Sequence, residues 1–170
     1  MENIEKFAEL FDMLYTSFDG AELGKKVTQK MFYFYERKGI SLNLRYGIHY
    51  YGPYSSKLDN ILHILESEEY ININTTGATH VISVKNGHSV KDVLNMQEKE
   101  IASSVIKAFA HKTPLELEAL ATMDFVASSM NCSSKEQIIQ SFKMIKGEKF
   151  SAKIINETFE TLRTLELISA

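Results

Sequence analysis

Apolar residues at Ile4, Phe7, Ala8, Phe11, Leu14, Tyr15 and Phe18 recur every third or fourth position, the spacing of a helix that buries one stripe, and Gly20 stops the pattern. A second stripe, Leu23, Val27, Met31, Phe34 and Tyr35, predicts a helix over residues 22–38, with Gly39 where a left-handed cap favours glycine. From 40 to 51 the period shortens toward two, through Ile40, Leu42, Leu44, Tyr46, Ile48 and Tyr50, so this stretch is expected to run extended toward Gly52-Pro53. Ser55 or Ser56 then caps a helix carrying Leu58, Ile61, Leu62 and Leu65. Residues 70–74 and 79–84 are rich in β-formers and flank Thr75-Thr76-Gly77-Ala78, which predicts a β-hairpin closed by Asn86-Gly87.

Helical spacing resumes at Ser89, with Val90, Val93, Leu94, Ile101, Val105, Ile106 and Phe109 on one face of a long segment to about His111. Thr113-Pro114-Leu115-Glu116 combines a capping threonine, a proline suited to the first helical position and a glutamate that reaches back to the cap, so a helix starts there and runs to about Met130. Ser133 with Glu136 repeats the pattern before Ile138, Ile139 and Phe142, Gly147 ends that helix, and Ser151 caps a last one with Ile154, Ile155, Phe159, Leu162 and Leu165. The expected fold is mainly α, of the α+β class. A winged-helix-like N-terminal module with a small β-hairpin occupies residues 1–88, and a C-terminal helical bundle over 89–170 packs on it as one unit, the two meeting at a polar hinge near 87–90.

Composition narrows the class. The chain has 170 residues, a formal net charge of -3, 44% hydrophobic and 24% charged residues, with 2 Pro and 8 Gly, which excludes collagenous, disordered and low-complexity chains. A chain of this length buries roughly 70% of its unfolded surface, enough for a core without disulfides or metal. The single cysteine, Cys132, cannot form an internal disulfide and suits a reducing cytoplasm. The acidic start, Met1-Glu2-Asn3-Ile4-Glu5-Lys6, is unlike a signal peptide and the apolar runs are short, so no membrane association is expected.

Motifs for chemistry fail one by one. His49, His63, His80, His88 and His111 are scattered, and neither Cys-x-x-Cys nor His-Glu-x-x-His occurs, so neither metal nor cofactor is expected. Gly20-Ala21-Glu22-Leu23-Gly24-Lys25-Lys26 is one residue short of a phosphate-binding loop, lacks the Ser/Thr after lysine and follows a helix, so it reads as an interhelical turn. Cys132, between Asn131 and Ser133, reads as structural. No nucleophile is paired with a base, and an enzyme using His49 or His63 as a base ranks below the binding readings.

Charge is more informative. Between Lys25 and Lys57 lie Lys25, Lys26, Lys30, Arg37, Lys38, Arg45 and Lys57 against Glu36 alone, a net of +6 that leaves -9 for the rest. Tyr33, Tyr35, Tyr46, Tyr50, Tyr51 and Tyr54 are interleaved with these cations, a mixture suited to a nucleic-acid backbone or to an acidic protein partner. The plain alternative is internal neutralisation, because residues 1–24 carry a net of -5 and the first helix can lie against the second. A winged-helix module reads DNA with its third helix and wing. Here that helix turns acidic at Glu66, Glu68 and Glu69, and the wing, 75–80, holds no Lys or Arg, which argues against ordinary duplex binding.

Two segments carry a family resemblance. Lys26-Val27-Thr28-Gln29-Lys30-Met31-Phe32-Tyr33-Phe34, followed by Tyr46-Gly47-Ile48-His49-Tyr50-Tyr51-Gly52-Pro53-Tyr54-Ser55, resembles the Panacea, or SocA-like, group of antitoxin domains and its YwgA-like branch. The resemblance covers about residues 20–70; the 115–122 helix and the 154–168 segment look like that branch's helical extension. It implies a mostly helical domain that neutralises a toxin by direct contact, without a catalytic site, and it carries Lys26, Lys30, Gly52 and Pro53 over as family-core positions. The sequence is therefore read as a cytoplasmic, non-enzymatic interaction module that binds a protein partner through Arg45, His49, Tyr50, Tyr51, Tyr54 and Lys57. The alternative is a winged-helix nucleic-acid-binding regulator with Lys25, Lys26, Lys30 and Lys57 on phosphates, and a homodimer is open to either.

Overall fold

Capping residues set where the helices begin in the computed structural model, which describes residues 3–19 and 22–170. In chain order the described elements are α1 (Ile4–Ser17), β1 (Leu23–Gly24), α2 (Lys25–Arg37), β2 (Gly47–His49), β3 (Gly52–Tyr54), α3 (Ser56–Ser67), β4 (Ile71–Asn74), β5 (Val81–Val84), α4 (Met96–Phe109), α5 (Pro114–Ser129), α6 (Lys135–Lys146) and α7 (Ala152–Thr164). The chain is mainly α with a small antiparallel sheet, as the hydrophobic pattern predicts. None of these helices is long and apolar enough to cross a membrane. Gly20, the expected stop of the first helix, lies outside the described residues.

The chain divides into two units: Met1–Gly47 with Tyr54–His111, and Ile48–Pro53 with Lys112–Ala170. In the first, α1 packs on α3 and α4, and α2 on α4. Phe34 of α2 and Phe109 of α4 stack with ring centres 3.8 Å apart and planes 6° from parallel. β1 pairs with β5 (Leu23 opposite Ile82), and β5 pairs with β4 (Ile73 opposite Ile82), giving the order β1-β5-β4. A two-residue strand is too short to show a period, so the pattern merges β1 into the second helix, which begins only at Lys25.

Three stretches differ from the sequence reading. Residues 40–46 bury Ile40, Leu42 and Leu44 as the alternation predicts, but Asn43 and Arg45 both sit at φ 54, and the chain then folds into the β2–β3 hairpin instead of running on extended. The Glu36 carboxylate accepts the Leu44 N–H at 3.1 Å, which holds that kinked backbone. The fourth long helix starts at Met96, not Ser89. Glu9 accepts the amides of Val93 and Leu94 at 2.7 and 2.8 Å, and Asn95 with Glu98 forms a capping box, so Val90, Val93 and Leu94 mimic helical spacing in a non-helical strap. α4 accordingly groups with α1 and α2 rather than with a bundle beginning at residue 89. The cap of α6 is Ser134, which accepts from Gln137 N, while the Gln137 side chain reaches back to the Ser133 amide; the expected Ser133–Glu136 pair is one residue out of step.

The second unit forms around α5, against which α6 and α7 pack. Thr113 and Glu116 make the capping box that the sequence predicts, with Pro114 in the first turn. Leu117, Leu120, Met123 and Val126 of α5 share the core with Ile138, Phe142, Ile155, Phe159 and Leu162. Phe150 closes it beside Phe142, ring centres 5.6 Å apart.

Candidate functional site

Gly52 sits at φ 92, a region that side chains disfavour, and Pro53 fixes its own φ and offers no N–H, so the backbone turns sharply between β2 and β3. That turn carries Tyr50, 79% exposed, and Tyr51, 44% exposed. Their rings meet edge to face, centres 4.8 Å apart at 85°. Each tyrosine offers a large apolar face and a polar tip while ordering only two side-chain torsions, the economy that suits a contact surface.

The turn is anchored by two lysines and one carboxylate of its own unit. Lys146, in the last turn of α6 with its side chain 3% exposed, donates to Tyr50 O at 2.9 Å and to Glu118 Oε1 at 2.6 Å. Lys149 donates to the same oxygen at 2.7 Å, and its ammonium lies 5.6 Å from the Tyr50 ring centre, 5.4 Å from Tyr51 and 5.9 Å from Phe150. Burial pushes the Glu118 carboxyl up, but the hydrogen bonds and charges of Lys146 and Lys149 outweigh it and hold the group below its ordinary range. Gly147, at φ 57, ends α6 and leads the chain on to Lys149. Two ammoniums share one carboxylate, so the three side chains carry one positive charge in excess.

Of the six predicted contact residues, His49, Tyr50 and Tyr51 belong to this second unit, and Arg45, Tyr54 and Lys57 to the first. His49 is exposed, and so is Arg45. Burial raises the Tyr54 hydroxyl, and its hydrogen bond to Asp59 and that carboxylate's charge raise it further; Asp59 also pairs with Lys25. Lys57 donates to Asn43 O at 2.9 Å. Among the family-core positions, Gly52 and Pro53 are buried in the hairpin, Lys26 is exposed and Lys30 is only 4% exposed. Lys30 is thus withdrawn from the phosphate-facing set, Lys25 is neutralised by Asp59, and Lys57 is tied to backbone. On α3 the exposed side chains are Ser56, Asn60, His63, Ile64 and Ser67, none of them a lysine or arginine.

Glu5 pairs with Lys91, and Glu9 holds the Val93 and Leu94 amides and meets Lys99 at 3.7 Å, so these acids of α1 serve the strap and α4. Sequence reasoning missed Glu118, Lys146 and Lys149. The signal for the cations was present as Lys143, Lys146, Lys149 and Lys153, spaced by three or four against Glu148 alone. Among the described residues no three His, Cys, Asp or Glu side chains gather as a metal site.

A scan against protein-family models finds no match for this chain, and no curated protein matches it.

Proposed function

We propose that this chain is a non-enzymatic, cytoplasmic protein-interaction module of the antitoxin-like kind, which binds a protein partner through the Tyr50–Tyr51 turn. The observation that carries the reading is the pair of exposed tyrosine rings on a turn whose backbone is tied down by Lys146. Aromatic anchors presented on fixed backbone are the residues on which binding energy concentrates. A toxin is the partner that the Lys26 to Phe34 and Tyr46 to Ser55 resemblance suggests.

The test is a tagged pull-down from the native host at moderate salt, with titration of the stoichiometric protein recovered against wild type and Tyr51→Ala. Loss of about 2 kcal/mol or more, roughly thirtyfold in affinity, supports the reading. Binding intact within about 0.5 kcal/mol overturns it.

The connectivity favours a second reading. β1, between the first two helices, pairs with β5 of the β4–β5 hairpin that follows α3, which supports reading the N-terminal elements as a nucleic-acid-binding module. As a nucleic-acid binder the chain would lose affinity steeply between about 50 and 200 mM salt; flat binding removes that reading.

A further inference from the structure

We infer that the Tyr50, Tyr51 and Lys149 surface receives a carboxylate of its partner: an aspartate or glutamate flanked by an aromatic or aliphatic side chain. The inference rests on the interaction reading above and supplies the partner's chemistry.

Charge complementarity carries it. Glu118 Oε1 accepts from both Lys146 and Lys149, so one carboxylate faces two ammoniums. Lys146 is sealed, and its second acceptor is the Tyr50 carbonyl. Lys149 differs: its side chain is 32% exposed. An ammonium has three donors. Glu118 takes one of them among the described residues, and the Tyr50, Tyr51 and Phe150 rings beside it offer attractive faces but no strong hydrogen-bond acceptor. An arriving carboxylate would satisfy a remaining donor and balance the excess charge. Of the neighbouring lysines in sequence, Lys143 is exposed, while Lys153 pairs with Glu157 at 3.8 Å, so Lys149 is the cation on which the contact depends. Next to this single anchoring charge, Tyr50 presents a ring open enough to pack against an apolar neighbour of the acid. A point-sized cation beside an aromatic face fits an acidic peptide better than a nucleic-acid backbone, whose affinity comes from several phosphates neutralised together.

The experiment selects random dodecapeptides displayed on phage against the immobilised full chain at physiological ionic strength. Single synthetic peptides are then titrated against wild type, Tyr51→Ala and Lys149→Met. The expected winners carry Asp or Glu beside an aromatic or aliphatic residue. Their affinity falls about tenfold or more on Tyr51→Ala, on Lys149→Met, and on Asp→Asn or Glu→Gln within the peptide. Combining Lys149→Met with the peptide change costs little beyond either alone. The peptide substitution leaves the protein untouched and so reads the contact independently of folding. Winners that depend on Tyr51 but lack an acid, or ignore Lys149→Met, overturn the carboxylate assignment and leave the interaction reading standing. Recovery of no Tyr51-dependent peptide overturns both. A short oligothymidylate that binds more tightly than any peptide, through Lys149, overturns the protein assignment in favour of nucleic acid.

Discussion

Lys146 donates to the backbone carbonyl of Tyr50 at 2.9 Å across 96 positions of sequence. The bond passes the order of a helix end to an exposed turn, because the same ammonium is held by Glu118 at 2.6 Å. Lys146→Met removes one partner of a buried pair and leaves Glu118 with Lys149 alone. Breaking such a pair costs about 3–5 kcal/mol. Urea unfolding is expected to show that loss, and Lys146→Met combined with Glu118→Leu to recover most of it, since a buried pair replaced by apolar groups is often neutral. A double variant no better than the single one would show that the pair is not the source of the loss.

Acid should weaken the same unit. The Glu118 carboxyl titrates below its ordinary value in the folded chain, so its stabilisation is complete above the unfolded range, about 4.3, and is lost as pH falls through the lower folded value. Glu118→Gln cannot gain or lose that proton. The stability gap between wild type and Glu118→Gln is therefore expected to be constant from about pH 6 to 7 and to narrow below about pH 4.5. Chemical denaturation at stepped pH measures it, and a gap that stays level into acid would deny the ion pair its role.

Gly52→Ala tests the turn itself. At φ 92 a Cβ adds strain of about 1–2 kcal/mol. Thermal unfolding is expected to register a loss of that size, and the affinity of any Tyr51-dependent partner to fall with it, because the strain is relieved by moving Tyr50 and Tyr51. Unchanged stability would mean that the hairpin readily accepts another backbone path.

Much of this was legible in the sequence, and the gaps have physical causes. Helix starts at Thr113 and Ser151 could be read because a cap is a local bargain between a side chain and an amide three residues on. Val90, Val93 and Leu94 misled because helical spacing reports only which residues face a core, and the contact that overrode it, Glu9 on their amides, spans more than eighty positions. The tyrosines of the site stood out by type and by the Gly-Pro beside them. Their anchors did not, since a buried Glu118 looks like any helical glutamate until α5 and α6 are packed.

Gln29 shows the same limit in the first unit and yields a last prediction. Its buried side-chain amide accepts from Ser55 N at 2.9 Å and donates to Ser55 O at 2.9 Å, standing in for a strand neighbour. Ser55 in turn donates its hydroxyl to Leu44 O at 2.5 Å and caps α3 through Leu58 N at 3.0 Å. Gln29 therefore couples α2, the kinked 40–46 segment and the start of α3. In Gln29→Leu the Ser55 carbonyl keeps the Asp59 amide at 3.2 Å, but the Ser55 N–H is orphaned in a buried site. An unsatisfied donor of that kind costs about 1–3 kcal/mol. Gln29→Glu keeps the acceptor for Ser55 N–H and sets a carboxylate against Ser55 O. Burial and the carbonyl raise that acid's folded pKa, so its destabilisation grows as pH rises through the raised value. Unfolding at two pH values separates the variants: Gln29→Leu loses the same amount at both, and Gln29→Glu loses more at the higher one. Equal losses for Gln29→Glu at the two values would mean that water reaches this site and replaces the amide.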